Sequence, residues 1–223
     1  EGHALTFAAG LAANGMKPFT AIYSTFLQRG YDSILHDIAL QSLPVKIMID
    51  RAGLAVGDGA THHGIFDVSF LSHIPGVEIL SPATYSALRD AIDYAYSSNA
   101  PVAVRYPNTK ESERVSKEFY PSGRFGNIGI RANYAQDDIP EYIYITYGTL
   151  ASRVLQATDI VKACVGKRVG VVLLEMLKPY DTVSTDLIPY IKGARRIVFA
   201  EEGIKYGGAA MLLRDALEQG GFD

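Results

Sequence analysis

The sequence predicts an α/β protein built from two doubly wound, mostly parallel sheets, and three observations carry that expectation. Over residues 1–107, short apolar runs at 19–23, 45–49, 77–80 and 102–106 alternate with stretches whose apolar residues recur at helical spacing. A polar stretch of mixed charge, broken by Pro121, Gly123 and Gly126, then separates this series from a second one that begins near Tyr142. Finally, 223 residues of which 48% are hydrophobic can bury one large core or two modest ones. These features place a first domain at residues 1–118, a linker at 119–138 and a second domain at 139–223.

Each element has a local reason. Residues 1–14 are rich in Ala and Leu and stop at Gly15, a good helix terminator. Residues 19–23 read as a buried strand, and Leu27, Tyr31, Ile34, Leu35 and Ile38 then fall on one face of a helix over 26–40. A second strand at 45–49 ends in the loop 50–64, and a short helix near 66–71 leads to the strand 77–80, closed by Ser81-Pro82. Tyr85, Leu88, Ile92 and Ala95 mark the next helix before the strand 102–106. Residues 108–133 read as mostly linker with one short strand. The second series opens with a strand at 142–145, turns at Tyr147-Gly148-Thr149, and continues as a helix with Leu150, Val154, Ala157 and Val161 on one face. Strands follow at 170–174 and 197–200, and Gly207-Gly208 precedes a helix bearing Leu212, Leu213, Ala216 and Leu217. No closing strand is expected before Asp223, and a chain opening on Glu1 is expected to have lost its natural beginning.

Composition narrows the function classes. Twenty-one basic against 24 acidic residues give a net charge of −3, which provides no field for a polyanion, so nucleic acid is not an expected partner. No apolar run approaches the roughly 18 residues of a membrane span. The single cysteine, Cys164, sits among Val161, Ala163 and Val165 and is expected to be an inert core residue.

Several residues could carry chemistry. Arg51 and Arg105 each fall at the carboxyl end of a strand, the edge where open α/β sheets bind ligands, and two guanidinium groups there can grip a phosphate. The plainer reading is ion pairing, Arg51 with Asp50 or Asp58. The loop Gly57-Asp58-Gly59-Ala60-Thr61-His62-His63-Gly64 is too polar and flexible for a core, while its adjacent histidines lack the helical spacing of zinc motifs. Taken alone, Glu1 is a solvated acid in a first helical turn, Tyr23 and Phe26 are core aromatics, and Arg29 pairs with Asp32 at i,i+3. Tyr147-Gly148-Thr149, and Glu201-Glu202-Gly203 with Gly207-Gly208, are glycine-turned strand ends followed by helices, an arrangement that could bind an anion, though a role in folding and subunit contact is the simpler expectation.

Taken together, Glu1-Gly2-His3-Ala4, Tyr23-Ser24-Thr25-Phe26-Leu27-Gln28-Arg29, Arg51-Ala52-Gly53-Leu54, the 57–64 loop and Val104-Arg105-Tyr106-Pro107 resemble the deoxyxylulose phosphate synthase family. These are thiamine diphosphate enzymes of the transketolase superfamily. The resemblance runs along the whole chain but not the whole enzyme. It implies a thiamine pyrimidine-binding domain followed by an incomplete transketolase carboxyl-terminal domain. Glu1 would meet N1′ of the cofactor pyrimidine and exchange a proton there, and His62 would be the second catalytic residue, assisting proton transfers at the substrate. Tyr23 and Phe26 would lie against the aminopyrimidine ring. Arg29, Arg51, Asp58, His62 and Arg105 would contact substrate, Arg51 and Arg105 holding the phosphate of D-glyceraldehyde 3-phosphate.

The implied reaction joins pyruvate to D-glyceraldehyde 3-phosphate, releases carbon dioxide and yields 1-deoxy-D-xylulose 5-phosphate, a precursor of isoprenoids, thiamine and pyridoxal. Thiamine diphosphate and magnesium are the implied cofactors. Gly57-Asp58-Gly59 resembles the substrate loop rather than the magnesium motif, because the next asparagine, Asn99, is too distant. The magnesium ligands are therefore expected on a missing domain, and the polypeptide by itself is expected to be inactive. A homodimer in a bacterial cytoplasm, or in a plastid, is also implied. Gly2 departs from the Gln of many members, and Asn108 stands where many carry a further arginine. The rival readings are another thiamine enzyme of the superfamily and a non-catalytic assembly module.

Overall fold

The computed structural model describes residues 1–55, 57–123 and 126–222. The first unit opens with α1 (Gly2–Ala13), which buries Leu5, Ala8, Ala9 and Ala12 and ends where Gly15 takes a positive φ of 85°. Strand β1 (Phe19–Tyr23) runs into the one-turn α2 (Ser24–Leu27), and β2 (Lys46–Asp50) follows. Next come α3 (Asp67–Ser72), β3 (Glu78–Leu80), α4 (Tyr85–Ser97) and β4 (Val102–Arg105). Thr84 caps α4, its hydroxyl accepting from the Ala87 N–H at 3.1 Å. The four strands pair in parallel in the order β1-β2-β4-β3. Every residue of β4 is buried, as expected of a central parallel strand covered on both faces.

The second unit contains β5 (Ile130–Ala132), β6 (Tyr142–Tyr147), α6 (Ala151–Val165) and β7 (Val169–Leu174), preceded by α5 (Glu113–Phe119). Its sheet has the order β5-β7-β6-β9, where β9 is Arg196–Phe199; β5 is antiparallel to β7, and the other pairs are parallel. Between β7 and β9 the chain leaves this sheet. Strand β8 (Met176–Lys178) adds antiparallel to β3 as the fifth strand of the first sheet, and α7 (Tyr180–Ile191) brings the chain back. Helix α8 (Ala209–Gln219) closes the described chain. The two units share one apolar core, in which Ile47, Ile79 and Leu71 of the first belong to the same cluster as Ile145, Leu177 and Leu187 of the second. Among the described residues no helix is long and apolar enough to cross a membrane.

Four expectations are corrected. The helix expected over 26–40 is broken into α2, a 3-10 turn (Gln28–Gly30) and a π-helical segment (Ser33–Ala39). Gly30 explains part of this, since a Cβ there would strike the Leu5 side chain, so α1 lies directly on the turn. The stretch read as mostly linker holds α5, whose Val115 and Phe119 are buried against Ala83, Ala87 and Leu155, and whose Arg114 reaches Asp159 of α6 at 2.5 Å. Neither β8 nor α7 was foreseen, because Pro179 and Pro189 interrupt that stretch and β8 finds its partner in the other sheet. Cys164, expected in the core, is exposed on α6.

Candidate active site

The carboxyl ends of β1, β2 and β4 converge on one edge of the first sheet, the ligand edge of an open parallel sheet. At the end of β1 the Tyr23 and Phe26 rings are stacked, with centroids 5.6 Å apart and planes within 9°. His62 meets Phe26 edge-on at 5.6 Å, and Arg29 lies 5.2 Å from the Phe26 centroid. The same Arg29 approaches the Glu1 carboxylate at 3.7 Å, in place of the expected pairing with Asp32, which bonds His36. Glu1, Tyr23, Phe26, Arg29 and His62 thus form one cluster, drawn from three separated stretches of chain.

Arg51 joins it from β2. Its guanidinium lies 4.0 Å from the Tyr23 centroid and bonds Asp50 at 2.7 Å and Asp58 at 3.4 Å. Burial works against this charge, but Asp50 and Asp58 outweigh it and the Arg51 pKa is raised. Its backbone sits at φ 55°, a strained value for a residue with a Cβ. That conformation is held because Asp50 accepts from the Arg51 N–H at 2.8 Å and the Tyr106 carbonyl accepts from the Ala52 N–H at 3.0 Å.

The loop beyond is closed by Gly53 and Gly64, which exchange backbone bonds of 2.8 and 2.7 Å. Gly64 has no room for a side chain, since its Cβ would meet Ser24 and the Arg51 carbonyl. Thr25 donates to the Thr61 carbonyl at 3.0 Å, and the His63 ring accepts from the Ala55 N–H at 3.1 Å, which leaves His62 as the histidine facing the rings. Among the described residues no group of three or more His, Cys, Asp or Glu could hold a metal ion.

Arg105 stands apart from this cluster. It ends β4 one strand away from Arg51, but its side chain is 5% exposed and its fork bonds Asp67 at 3.1 and 3.2 Å, with Ser81 at 3.4 Å. Tyr147 of the second unit covers it, 5.1 Å from ring centroid to guanidinium. Burial opposes the charge, Asp67 more than offsets that, and the Arg105 pKa is raised. Burial likewise raises the Tyr147 hydroxyl pKa, keeping it a neutral donor to Glu201 at 2.9 Å. Glu201 in turn accepts from the N–H groups of Ala209 and Ala210, capping α8. The sequence reading missed Asp67 and the way Glu201 links the units. The one available signal was an acidic residue among Phe66, Val68, Phe70 and Leu71 in a short apolar helix.

Fold and site resemble the pyrimidine-binding domain of the transketolase superfamily: residues 1–111 match the family described as transketolase, pyrimidine binding domain. Within it the chain resembles 1-deoxy-D-xylulose-5-phosphate synthase. It is 40% identical over 221 residues to that enzyme of Albidiferax ferrireducens, covering 99% of this chain and 33% of that protein. Against the enzyme of Chlorobium phaeovibrioides it is 40% identical over 225 residues, covering 98% and 33%. The chain therefore spans about a third of the length of these curated relatives. Among solved structures, one described as a split gene transketolase, inactive beta4 tetramer, shares the fold with a TM-score of 0.83 at 24% identity, over 98% of this chain and 68% of that one. A transketolase from Leishmania mexicana has a TM-score of 0.69 at 19% identity, over 96% and 34%.

The buried pair makes a testable demand. Asp67→Asn leaves the Arg105 charge buried without its carboxylate, and we expect a loss of about 3–5 kcal/mol of stability in urea unfolding, the usual cost of breaking such a pair. Replacing both partners, Asp67→Leu with Arg105→Met, should restore much of it. A single variant within about 0.5 kcal/mol of the parent would remove the pair from the stability of the fold.

Proposed function

We propose that this polypeptide supplies the pyrimidine side of a thiamine diphosphate site and is inactive by itself. The complete enzyme would condense pyruvate with D-glyceraldehyde 3-phosphate, with loss of carbon dioxide, to 1-deoxy-D-xylulose 5-phosphate. The observation that carries this is the stacked Tyr23–Phe26 pair with His62 at its margin and Glu1 linked to it through Arg29. Half-buried rings beside a carboxylate suit an aminopyrimidine, which offers a flat face to stack on and a ring nitrogen to share a proton. Inactivity of the piece is supported by its coverage of about a third of the relatives' length and by its likeness to a structure described as inactive. Division at residues 1–118, 119–138 and 139–223 remains part of this proposal.

When bound, the cofactor supplies an electron sink for decarboxylation and carbon–carbon bond formation, and its diphosphate and magnesium would be held by another part of the enzyme. In this chain Glu1 holds the proton at the pyrimidine N1′, while Tyr23 and Phe26 orient the ring. His62 moves a proton at the substrate oxygens. Arg51 takes the acceptor phosphate by exchanging it for Asp58, the more exposed of its two carboxylate partners. Arg29 brackets Glu1. Arg105 already has its fork on Asp67, so it acts through the strand end it stabilises, and any direct contact with phosphate would require its release from that carboxylate.

Assembly as a homodimer is proposed as well, supported by the exposed aromatic ring of Phe7 on α1. The bacterial sources of the relatives support a cytoplasmic setting.

Two experiments test the reading. Calorimetry of this chain with thiamine diphosphate should show no tight binding that depends on magnesium; tight, magnesium-dependent binding would contradict the division of labour. In the complete enzyme, Arg51→Gln should raise KM for D-glyceraldehyde 3-phosphate about tenfold or more and leave KM for pyruvate unchanged. Equal losses with phosphorylated and unphosphorylated acceptor aldehydes would make Arg51 a structural residue.

A further inference from the structure

Away from the ring cluster, the two units enclose a cleft of about 580 Å³, within the range of small-molecule sites. Lys110, in the loop after β4, lines it from the first unit, and Arg153, in the first turn of α6, lines it from the second. Both side chains are exposed, and among the described residues neither is in an ion pair. Among the described residues the side-chain bond of Arg153 is a long one to Gln156, 3.4 Å. Four hydroxyls, those of Thr109, Ser112, Thr149 and Ser152, share the wall with them. Neither Leu150 at the N-terminus of α6 nor Tyr147 before the 3-10 turn (Gly148–Leu150) that leads into it makes a side-chain capping bond, and the positive end of that helix faces the cleft. The carboxylate in the lining, Glu202, lies against Gly53, where a Cβ would strike it, and pairs with neither cation.

We propose that this interunit cleft binds a small organic phosphate. Two unpaired cations match the charge of a phosphate monoester, close to −2 near neutral pH, and the hydroxyls match its three terminal oxygens. A carboxylate offers one charge and two oxygens and would leave donors unused. Leu54, Val115 and Leu150 give the carbon part of such a ligand an apolar wall. Leu54 also belongs to the loop that follows Arg51, so an occupied cleft touches the segment that positions that arginine.

Phenyl phosphate serves as the probe, titrated into the 223-residue chain by calorimetry. Saturable binding is expected, weaker for benzoate, and Arg153→Gln or Lys110→Gln should each weaken it about tenfold or more, the loss of one charge-assisted bond. Thermal midpoints should not move, since both side chains are exposed and unpaired. Arg51→Gln should leave this binding unchanged, which separates the cleft from the phosphate contact proposed for Arg51. Absence of saturable binding at millimolar phenyl phosphate would overturn the proposal. So would binding that is weakened by Arg51→Gln and untouched by Arg153→Gln.

Discussion

The ion pair between Arg105 and Asp67, sealed beneath Tyr147, is the constraint on which the arrangement of this molecule depends. A charge removed from water costs several kcal/mol unless its partner and its remaining donors are satisfied. Here the fork is met by both oxygens of Asp67, Ser81 lies within reach, and the aromatic face of Tyr147 covers the guanidinium. The pair can stay dry only if the second unit remains docked, because Tyr147 ends β6 of that unit. Its hydroxyl is fixed by Glu201, and Glu201 is fixed by the first turn of α8. A chain of hydrogen bonds, joined by the stacking of Arg105 on Tyr147, therefore runs from the centre of the first sheet to α8.

Docking also sets the geometry of the ligand edge. β8 crosses from the second unit to pair with β3, where Lys178 donates to the carbonyls of Leu71 and Ile74 at the end of α3, the helix that carries Asp67. Glu202 packs against Gly53, two residues from Arg51. The strained backbone of Arg51 is thus supported from both sides: by Asp50 and Tyr106 within its own unit, and by the neighbouring unit behind its loop. The two strand-end arginines, one residue type at equivalent places, are given different work by their surroundings. One is partly exposed between carboxylates that solvent can reach, the other is enclosed.

Local chemistry made much of this fold legible. Alternation of apolar strands with helical spacing located β1, β4 and β6, and Gly15 and Ser81-Pro82 marked real ends of elements. The failures share a cause. In α5 only Val115 and Phe119 announce a buried face within a polar stretch, and their partners lie on α4 and α6, far away in sequence. β8 has three residues and is a strand only because β3 is beside it. At the candidate site, the strand-end placement of Tyr23, Phe26, Arg51 and Arg105 could be read from the pattern. That Arg105 would be neutralised could not, since Asp67 lies 38 residues away and gave no signal beyond an acid in an apolar helix. Cys164 shows the converse, an apolar neighbourhood in sequence that turns out to be the outer face of α6.

The Arg105 side chain belongs to the fold, which leaves Arg51 as the strand-end arginine open to the phosphate contact proposed for it. Side-chain nitrogen NMR of the arginine Nε–H groups in this chain tests it without any ligand present. The Arg105 Nε–H should exchange slowly with solvent, held on Asp67, that of Arg29 rapidly, and that of Arg51, held only by the exposed Asp58, faster than that of Arg105. An Arg105 Nε–H that exchanges as fast as that of Arg29 would mean the pair is open in solution, and the account would fail at its centre.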